Sequence, residues 1–531
     1  MASRAAPRSG TPPPARTAQP PGVSDVPAMA VRHKGLLTLA VMMATIMQIL
    51  DTTIANVALP HMQSSLSATA DTITWALTSY LVATAIAIPI TGWLAERVGS
   101  RNLFIWAVIA FTVSSMLCGA ATTLTEMVLF RAIQGISAAF IGPLSQTVLM
   151  DINPPSGQAK AMSIWGMGIM IGPIMGPVLG GWLTENYSWR WVFLVNVPVG
   201  IVTVALLVWL LPSRDPTDRK FDLFGFSMLA LGLASLQIML DRGTQLDWFS
   251  SPEILLEAAV AVSCLWVFAV HMIWGRNPMF DRAMLANRNM AAALIFMLVV
   301  GVVMFASMAL LPPMLQQLFG YSVLDTGLLL APRGLGILVS MGAAGWLVTR
   351  MDPRWVMVTG AMISTVSLWM MTGWSLEMSW QPVVVAGLIQ GLGMGLVFIP
   401  LNMMAFATLE PRHRTDGASL LNLSRSLGAS ISISVLTTLL SFNIQVSHSD
   451  LASHITDTSM SAIDPNTAQK FGALGDAAML AVNAEINRQA AMVAYIDDFW
   501  AMMLVNLAAI PLLLLLRRPQ GMASAPVHIG E

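Results

Sequence analysis

The sequence predicts an all-α polytopic membrane protein with 14 transmembrane helices, arranged as two six-helix pseudo-symmetric bundles plus two inserted helices. Three observations lead to this prediction: the composition, the apolar runs of membrane-spanning length, and short motifs that repeat at a nearly constant offset. Of the 531 residues, 56% are hydrophobic and 10% are charged, whereas soluble proteins carry about 25% charged residues. A water-soluble core of this size cannot bury that much apolar surface.

The charge balance excludes a further class of protein. The chain has 27 Lys+Arg against 28 Asp+Glu, and a nucleic-acid-binding protein needs a basic face. We therefore expect no nucleic acid among its partners. The two cysteines lie within apolar runs, so no disulfide framework is predicted.

Apolar runs define the predicted helices. A bilayer core of about 30 Å is crossed by about 20 apolar residues in a helix. Fourteen such runs occur along the chain, at residues 36–59, 73–94, 102–121, 125–150, 160–184, 191–211, 221–241, 253–274, 289–313, 326–349, 354–374, 381–407, 417–441 and 498–516.

The distribution of Lys and Arg predicts the orientation. If the N-terminus is cytoplasmic and the spans alternate, the inside segments carry 20 of these residues, the outside loops carry four, and three lie within spans. Cytoplasmic loops of membrane proteins carry such an excess of positive charge. We expect a multi-pass protein of the bacterial inner membrane with both termini cytoplasmic.

These spans divide the chain into predicted regions. The first is a proline-rich tail, expected to be disordered and cytoplasmic. Two six-helix bundles follow it, separated by two inserted helices, and the second bundle carries a long outer loop whose later part has a helical pattern. The predicted regions are residues 1–35 (tail), 36–211 (N-terminal bundle), 212–288 (inserted helices), 289–516 (C-terminal bundle, with the outer loop 442–497) and 517–531 (cytoplasmic tail).

An internal repeat relates the two bundles. Gly-Trp-Leu at 92–94 recurs at 345–347, and Ile-Gln-Gly at 133–135 recurs at 389–391. The offsets are 253 and 256 residues, and Leu-Pro at 59–60 recurs at an offset of 252. Parallel repeats that rock about a site near the membrane midplane are a known transporter architecture.

One acid lies deep in the first predicted span. Asp51 is about 22 Å from its inner end and about 12 Å from its outer end, and Arg131 lies at a similar depth in the fourth span. An ionised Asp costs about 2.5–3.5 kcal/mol there, so it either pairs with a cation or takes up a proton. The two residues are therefore candidates for proton coupling. The alternative is a fixed structural pair in which Asp51 also bonds Thr52 or Asn56.

The fifth predicted span has a glycine at every fourth position. Such a stripe lets a neighbouring backbone approach closely, and two prolines within it promote bending. The stripe predicts a packed, bendable helix that seals one route across the protein, although plain helix packing is the simpler explanation. The residues are Gly168, Gly172, Pro173, Gly176, Pro177 and Gly180.

Further polar residues are candidates for gating and substrate binding. The short inner loop after the second span is predicted to latch onto a neighbouring helix end, although topogenic charge explains part of its composition. This loop motif comprises Gly92, Glu96, Arg97, Gly99 and Arg101. Amides within spans are candidates for substrate binding: Asn56, Gln134, Gln390 and Asn402. Arg333 and Arg425 have no obvious acid at their depth and are expected to be structural or gating residues.

No catalytic constellation is present in the sequence. There is no P-loop motif, and the seven His show no metal-ligand spacing. We therefore expect no enzyme activity, no bound metal and no cofactor, so that transport would depend on the proton-motive force.

Several of these motifs together resemble a known family. Residues 92–101 resemble the loop signature of the major facilitator superfamily, and 131–135 resemble its span-4 motif. Residues 168–181 are similar to the span-5 motif of its antiporters. Residues 50–60 and 189–198 are similar to the fourteen-span drug:proton antiporter branch. The long outer loop resembles that of the EmrB-like permeases of tripartite pumps, and the similarity covers nearly the whole chain.

The resemblance implies a proton-coupled exporter of hydrophobic or amphipathic compounds that works by alternating access. Its expected partners are a small hydrophobic substrate, protons, the lipid bilayer and a periplasmic adaptor at 442–497. Glu96 stands where the family usually has Asp, Ser100 replaces a basic residue, and the thirteenth span has Arg425 and no carboxylate. The last of these departures favours neutral, amphipathic or anionic substrates over dicationic drugs. The alternatives are a proton-coupled importer, a membrane-embedded transferase and a non-transporting scaffold.

Overall fold

The computed structural model describes residues 26–213, 219–454 and 476–516, and within these residues the chain is helical without any strand. The predicted tails at 1–35 and 517–531 lie mostly outside the described residues. The end of the first tail is packed: the Met29 amide donates to the Asp151 carbonyl at 2.8 Å, and His33 stacks on Trp209.

Eighteen α-helices occur in the described residues. They are α1 Lys34–Ser65, α2 Ala70–Ile73, α3 Trp75–Ala87, α4 Thr91–Val98, α5 Ser100–Ala120, α6 Leu124–Asp151, α7 Gln158–Asn186, α8 Trp191–Leu194, α9 Asn196–Leu210, α10 Leu223–Arg242, α11 Pro252–Trp274, α12 Arg282–Ala286, α13 Arg288–Gln317, α14 Val323–Leu347, α15 Pro353–Met371, α16 Gln381–Ala407, α17 Arg414–Ser453 and α18 Asp476–Leu514.

Twelve helices of the described chain are long and apolar enough to cross a membrane. The polytopic all-α class is therefore confirmed. The predicted spans 160–184 and 354–374 are also helical, as α7 and α15, but they are not among these twelve. The count of fourteen spans and the pseudo-symmetry of the two bundles stay predictions.

The helices pack mainly within two groups. Helices α1 to α9 contact one another, helices α13 to α18 do the same, and α7–α14 and α6–α17 are the principal contacts between the groups. Between them in sequence, α10 packs on α11, and it also contacts α3 of the first group and α17 of the second. We call the end of the bundle that the sequence assigns to the cytoplasm the inner end, and the opposite end the outer end.

The described parts of the region predicted as an outer loop, residues 442–454 and 476–497, are helical almost throughout. The structure extends α17 to Ser453 and begins α18 at Asp476, so both helices continue past their predicted spans. They pack together, and His448 Nε2 lies 2.9 Å from Asn483 Oδ1. The helical pattern predicted for the later part of this region agrees with α18, which runs on into the last span. The extension of α17 to Ser453 was not predicted, because its residues beyond 441 are mostly polar. We call residues 442–454 and 476–497 the helical hairpin; residues 455–475 lie outside the described chain.

The glycine stripe of α7 forms the surface against which α1 packs. A Cβ added at Gly172 would lie 2.6 Å from Ile49 Cγ2 and 3.1 Å from the Leu50 amide nitrogen. The Thr53 hydroxyl donates to the Gly172 carbonyl at 3.2 Å. Along the same stripe, Gly168 faces Met42, Gly176 faces Thr53 and Gly180 faces Ile54. The stripe thus fixes the depth and rotation of the helix that carries Asp51. The side chains of Pro173 and Pro177 are not among those described.

Candidate functional site

Three helices converge on Asp51. It lies midway along α1, on the face that turns towards the other helices of its group. Arg131 and Gln134 lie on α6, three residues apart, so both project from the same face of that helix. Asn196 is the first residue of α9. Each of these four polar side chains is almost fully buried.

The carboxylate of Asp51 accepts three hydrogen bonds. Its Oδ2 atom lies 2.7 Å from Arg131 Nη1. Its Oδ1 atom accepts from Gln134 Nε2 at 2.9 Å and from Asn196 Nδ2 at 2.8 Å. With 0% of its surface exposed, Asp51 has protein donors in place of the water that a carboxylate otherwise requires.

Arg131 is held by several further contacts. Its Nε donates to the Ala76 carbonyl at 3.0 Å, and its Nη1 also donates to Gln134 Oε1 at 2.8 Å. The guanidinium carbon lies 4.3 Å from the centre of the Tyr80 ring and 5.6 Å from that of Phe193. The cation therefore keeps favourable contacts to a carbonyl and two aromatic faces even when Asp51 is neutral.

This arrangement can hold or release one proton. Removing one partner of a buried ion pair leaves an uncompensated charge, which is costly. Adding a proton to Asp51 instead neutralises the acid and breaks its attraction to Arg131, without changing the composition of the site. Loss of the negative charge on Asp51 would therefore weaken the link between α1 and α6.

The structure separates the four amides predicted to bind substrate. Gln134 belongs to the Asp51 cluster, and Gln390 donates to Ser307 Oγ at 2.9 Å within the second group of helices. Asn402 lies between the two groups, where it accepts from Gln146 Nε2 at 3.1 Å. Asn56 is exposed on α1 and is not part of the cluster. The further partners of Asp51 are Gln134 and Asn196, whereas the fixed-pair alternative expected Thr52 or Asn56. Whether the pair with Arg131 is fixed stays open between the two predictions.

Sequence reasoning missed Asn196. Its signal was present, since it is an amide within an apolar run and lies in the motif at 189–198. It donates to Ser115 Oγ at 3.1 Å as well as to Asp51. The depth of α9 relative to α1 determines this contact, and depth cannot be read from one helix alone.

A ladder of amides joins α6 of the first group to α16 and α17 of the second. Asn422 Nδ2 donates to Gln146 Oε1 at 3.0 Å, and Arg425 Nη2 donates to Asn422 Oδ1 at 3.0 Å. The space that these residues line with Met297 and Phe398 holds about 0 Å³ of water-accessible volume, so it is closed in this conformation. No ion pair involves Arg425 within residues 26–213, 219–454 and 476–516.

Arg333 is also buried without an acid nearby. It donates from Nη2 to the Met304 carbonyl at 3.0 Å, and its Nε has no partner among the described residues. The sequence expectation that neither Arg333 nor Arg425 has an acid at its depth thus agrees with the geometry. Their roles stay predictions.

The inner loop motif lies against the second group of helices. A Cβ at Gly92 would collide with the carboxylate of Asp416 in the first turn of α17. Glu96 Oε2 lies 3.4 Å from Arg219 Nη1, which is 2.8 Å from Asp416 Oδ2. Gly99 turns the chain with a φ of 88°, and Arg101 Nη2 donates to the Val208 carbonyl at 2.7 Å. Arg97 lies on the last turn of α4.

Arg219 bridges carboxylates from both groups of helices. Burial lowers the pKa of its guanidinium, but the carboxylates of Asp416 and Glu96 outweigh this effect and raise the pKa above its ordinary value. Arg219 therefore stays charged at any working pH. The bridge can be lost through its carboxylates or through movement, but not through titration of the arginine.

Two more contacts close the inner end. Arg414 Nη1, at the start of α17, lies 2.8 Å from Asp151 Oδ1, at the end of α6. The Ser163 hydroxyl of α7 donates to the Met341 carbonyl of α14 at 2.6 Å. With the Arg219 bridge, these contacts hold the two groups together at the inner end, so this conformation is sealed there.

Comparison with known proteins agrees with this architecture. The sequence model of the Major Facilitator Superfamily matches residues 41–433. The chain is 34% identical over 474 residues to the multidrug export protein EmrB of Escherichia coli K12, covering 88% of this chain and 92% of that protein. It is 37% identical over 425 residues to EmrB of Haemophilus influenzae (79% and 83%). It is 31% identical over 499 residues to the fatty acid resistance protein FarB of Neisseria gonorrhoeae (93% and 98%).

Solved structures share the fold at low identity. The proton:xylose symporter XylE superposes with a TM-score of 0.59 at 12% identity, covering 90% of this chain and 94% of that one. The human organic anion transporter MFSD10 gives 0.57 at 14% identity, covering 92% and 100%. Fold and site thus define a multi-pass α-helical membrane transporter. The chain belongs to the major facilitator superfamily, within its EmrB-like group.

Proposed function

We propose that the protein exports hydrophobic or amphipathic compounds across the bacterial inner membrane in exchange for protons, by alternating access. The observation that carries this proposal is the buried cluster of Asp51, Arg131, Gln134 and Asn196, which can exist with or without a proton on Asp51. The multidrug export proteins named above support the direction of transport.

The proposed cycle begins with a proton that reaches Asp51 from the outside. The neutral carboxyl no longer attracts Arg131, which keeps its contacts to the Ala76 carbonyl and to Tyr80. The contacts Gln146–Asn422 and Asp151–Arg414 tie α6 to α17. A shift of α6 relative to α1 therefore strains the contacts between the two groups of helices. Release of the proton to the inside restores the ion pair.

The membrane potential can drive such a cycle. One elementary charge that crosses 100 mV carries about 2.3 kcal/mol, and a pH gradient adds to it. The proposed cycle uses one proton site, Asp51, so its minimal stoichiometry is one proton per transport cycle.

The proposed substrate site is the closed space beside the amide ladder. Amides and apolar side chains suit compounds with both characters, and Met297 can adapt to different shapes. Arg425 adds a desolvated cation without an acid among the described residues, which favours an anionic or neutral head over a cationic one. FarB, a fatty acid resistance protein, is among the similar proteins.

The decisive experiment uses Asp51→Asn in proteoliposomes. Asn keeps the shape of the side chain but cannot exchange a proton, so we expect folded protein, retained substrate counterflow and no transport driven by a pH gradient. Asp247→Asn is the matched control, because Asp247 lies in an outer turn with a φ of 53° that Asn also adopts. Full gradient-driven transport by Asp51→Asn would remove this residue from the mechanism.

The same vesicles test the alternatives. A proton-coupled importer moves labelled substrate in the same direction as the protons, so the substrate accumulates on the side that the protons reach, whereas an exporter of the proposed kind moves it in the opposite direction. A scaffold shows no flux in any arrangement, and the Asp51→Asn substitution then changes nothing.

A further inference from the structure

A second charged site lies at the inner end, away from Asp51. A cavity of about 700 Å³ opens there between the segment that connects the two groups of helices and the start of α17. Six basic side chains line it: Arg219, Lys220, Arg276, Arg282, Arg412 and His413. Among the described residues, two acids, Glu96 and Asp281, share the wall.

Both acids of the wall already have partners. Glu96 pairs with Arg219 at 3.4 Å, and Asp281 pairs with His413 at 3.3 Å. Within the part of the chain that the structure describes, the wall therefore has more basic groups than carboxylates to balance them.

Of the other four basic side chains that line the cavity, two bind other protein groups and two have no partner among the described residues. Arg282 donates from Nε to the Met272 carbonyl at 2.8 Å, and Arg412 pairs with the exposed Glu410 at 2.7 Å. Lys220 and Arg276 make no ion pair or side-chain hydrogen bond in the part of the chain that the structure describes. Lys220 precedes the inserted helices and Arg276 follows them, and both line this cavity without a partner among the described residues.

We propose that this cavity binds an anion that carries a phosphate group. Its volume lies within the range of about 300–1,000 Å³ typical of ligand sites. Guanidinium and ammonium groups suit phosphate oxygens, and basic pockets between membrane helices at the cytoplasmic side take phospholipid head groups. The ligand is the head group of an anionic phospholipid or a free phosphate, and the same side chains hold either one.

A ligand in this cavity lies beside the Arg219 bridge, one of the contacts that close the inner end. Arg219 lines the cavity and also bridges Glu96 and Asp416. A bound anion adds a negative group beside the bridge and joins the connecting segment, through Lys220 and Arg276, to the basic side chains that precede α17. Occupancy of the cavity therefore stabilises the folded protein, and it does so without involving Asp51.

The test measures the thermal unfolding of purified full-length protein in a neutral detergent at constant ionic strength. The probes are short-chain phosphatidylglycerol, inorganic phosphate, and chloride as the non-phosphate anion. We expect phosphatidylglycerol or phosphate to raise Tm in a saturable way, because a ligand that binds only the folded state stabilises it. Chloride should not do so.

Matched double variants locate the site. Lys220→Ala/Arg276→Ala should weaken the response to the phosphate-bearing probe at least about tenfold, which is about 1.4 kcal/mol of binding free energy. Lys160→Ala/Arg350→Ala removes two exposed cations at the same end but outside the cavity, and it should respond like the unmodified protein. The charge-preserving Lys220→Arg should retain the response.

The outcomes are separable. A response to lipid alone identifies the head group as the ligand, and a response to phosphate as well shows that the acyl chains are dispensable. Equal responses of the two double variants, or no response to either phosphate-bearing probe, overturn the proposal. Transport is not part of the readout, so failure here leaves the proton-coupled function untouched, and the reverse also holds.

Discussion

At the residue scale, Arg131 combines three kinds of contact that few side chains can make together. It pairs with Asp51, donates from Nε to the Ala76 carbonyl, and lies over the Tyr80 ring. A lysine at this position offers one ammonium group in place of the planar fork. This position therefore requires the planar shape and several donors of arginine as well as its positive charge.

Arg131→Lys is expected to lose transport although the positive charge remains. The lost charge-assisted hydrogen bond is worth about 1.5–3 kcal/mol, so the variant should also unfold at lower temperature. The readouts are gradient-driven flux and thermal unfolding in detergent. Arg488→Lys is the control, because Arg488 pairs with Glu485 on the exposed helical hairpin. Normal flux with Lys at 131 would show that only the charge matters.

Arg425 gives a prediction about selectivity. Replacing it with Leu removes the cation from the proposed substrate site, so flux of a carboxylate-bearing amphipath should fall at least about tenfold, equivalent to about 1.4 kcal/mol. Flux of a neutral analogue of the same size should change little, and Arg425→Lys should keep the difference between the two compounds. If Arg425→Leu lowers both fluxes equally, the arginine is structural.

The sequence predicted part of the central cluster. Asp51 and Arg131 could be placed at one depth because the rise of a helix is constant. Gln134 was singled out for a different role, and Asn196 was missed, because side-chain direction depends on how α1, α6 and α9 are rotated against one another. That rotation is set by packing, such as the contact of the α7 stripe with α1.

At the element scale, the α1–α7 contact explains why glycine occupies every fourth position of α7. The neighbours of Gly172 include the branched side chain of Ile49 and the backbone of Leu50, neither of which can move away easily. The glycines at 168, 172, 176 and 180 all face α1, whereas Gly181 has no atom within 4 Å of an added Cβ.

A pair of alanine substitutions tests this contact. Gly172→Ala should destabilise the protein by about 1–3 kcal/mol, the usual cost of overpacking, and should reduce transport because α1 carries Asp51. Gly181→Ala should leave transport intact and gain up to about 1 kcal/mol, since alanine favours the helix. Thermal unfolding and flux measure both effects. Identical behaviour of the two variants contradicts the proposed close packing.

The helical hairpin is the second informative element. It exposes large apolar side chains outside the predicted spans, with Phe442 61%, Val446 52% and Leu480 69% exposed. A periplasmic adaptor is the partner that the resemblance implies for this region. Its apolar surface is consistent with that proposal, since exposed apolar patches often mark protein contacts.

Shortening the hairpin separates transport from assembly. Replacing residues 449–482 with a short Gly-Ser linker retains the paired His448 and Asn483. We expect unchanged flux in proteoliposomes but weakened drug resistance in cells that depend on an adaptor. Replacing 455–475 alone with a Gly-Ser linker of equal length is the control. Loss of flux in vesicles would assign the hairpin to transport itself.

At the scale of the whole molecule, the inner end is held closed by contacts between the two groups of helices. The Asp151–Arg414 pair is largely buried, with 3% and 14% of the side chains exposed, so it is screened less by solvent than a surface pair. The Arg219 bridge lies in the segment between the groups and contacts both.

Arg414→Ala is expected to shift the protein towards a conformation open at the inner end. A tenfold change in that population requires only about 1.4 kcal/mol. Distances between spin labels placed on α6 and α17, in a background lacking Cys118 and Cys264, report the shift. Arg412→Ala removes the same charge from an exposed position two residues away and should leave the distances unchanged. Unaltered distances in Arg414→Ala would exclude the pair from closure.

The fold as a whole was more predictable than its sites. Long apolar runs locate helices because the bilayer leaves the backbone no other way to satisfy its hydrogen bonds. The extension of α17 to Ser453 was not predicted, and neither was Arg219 as a bridging residue, although the inner loop that carries Glu96 was expected to latch onto a helix end. Both lie in polar segments, where water can satisfy the backbone and hydropathy carries little information.

The continuity of α17 has a mechanical consequence. One unbroken helix of 40 residues runs from Arg414, in the closed inner contacts, to Ser453 on the helical hairpin. Its length is about 60 Å, so a tilt of about 10° at one end displaces the other by about 10 Å. The helix can act as a lever. A partner bound to the helical hairpin would therefore resist or assist the opening of the inner end mechanically, through the tilt of α17 and independently of the substrate site.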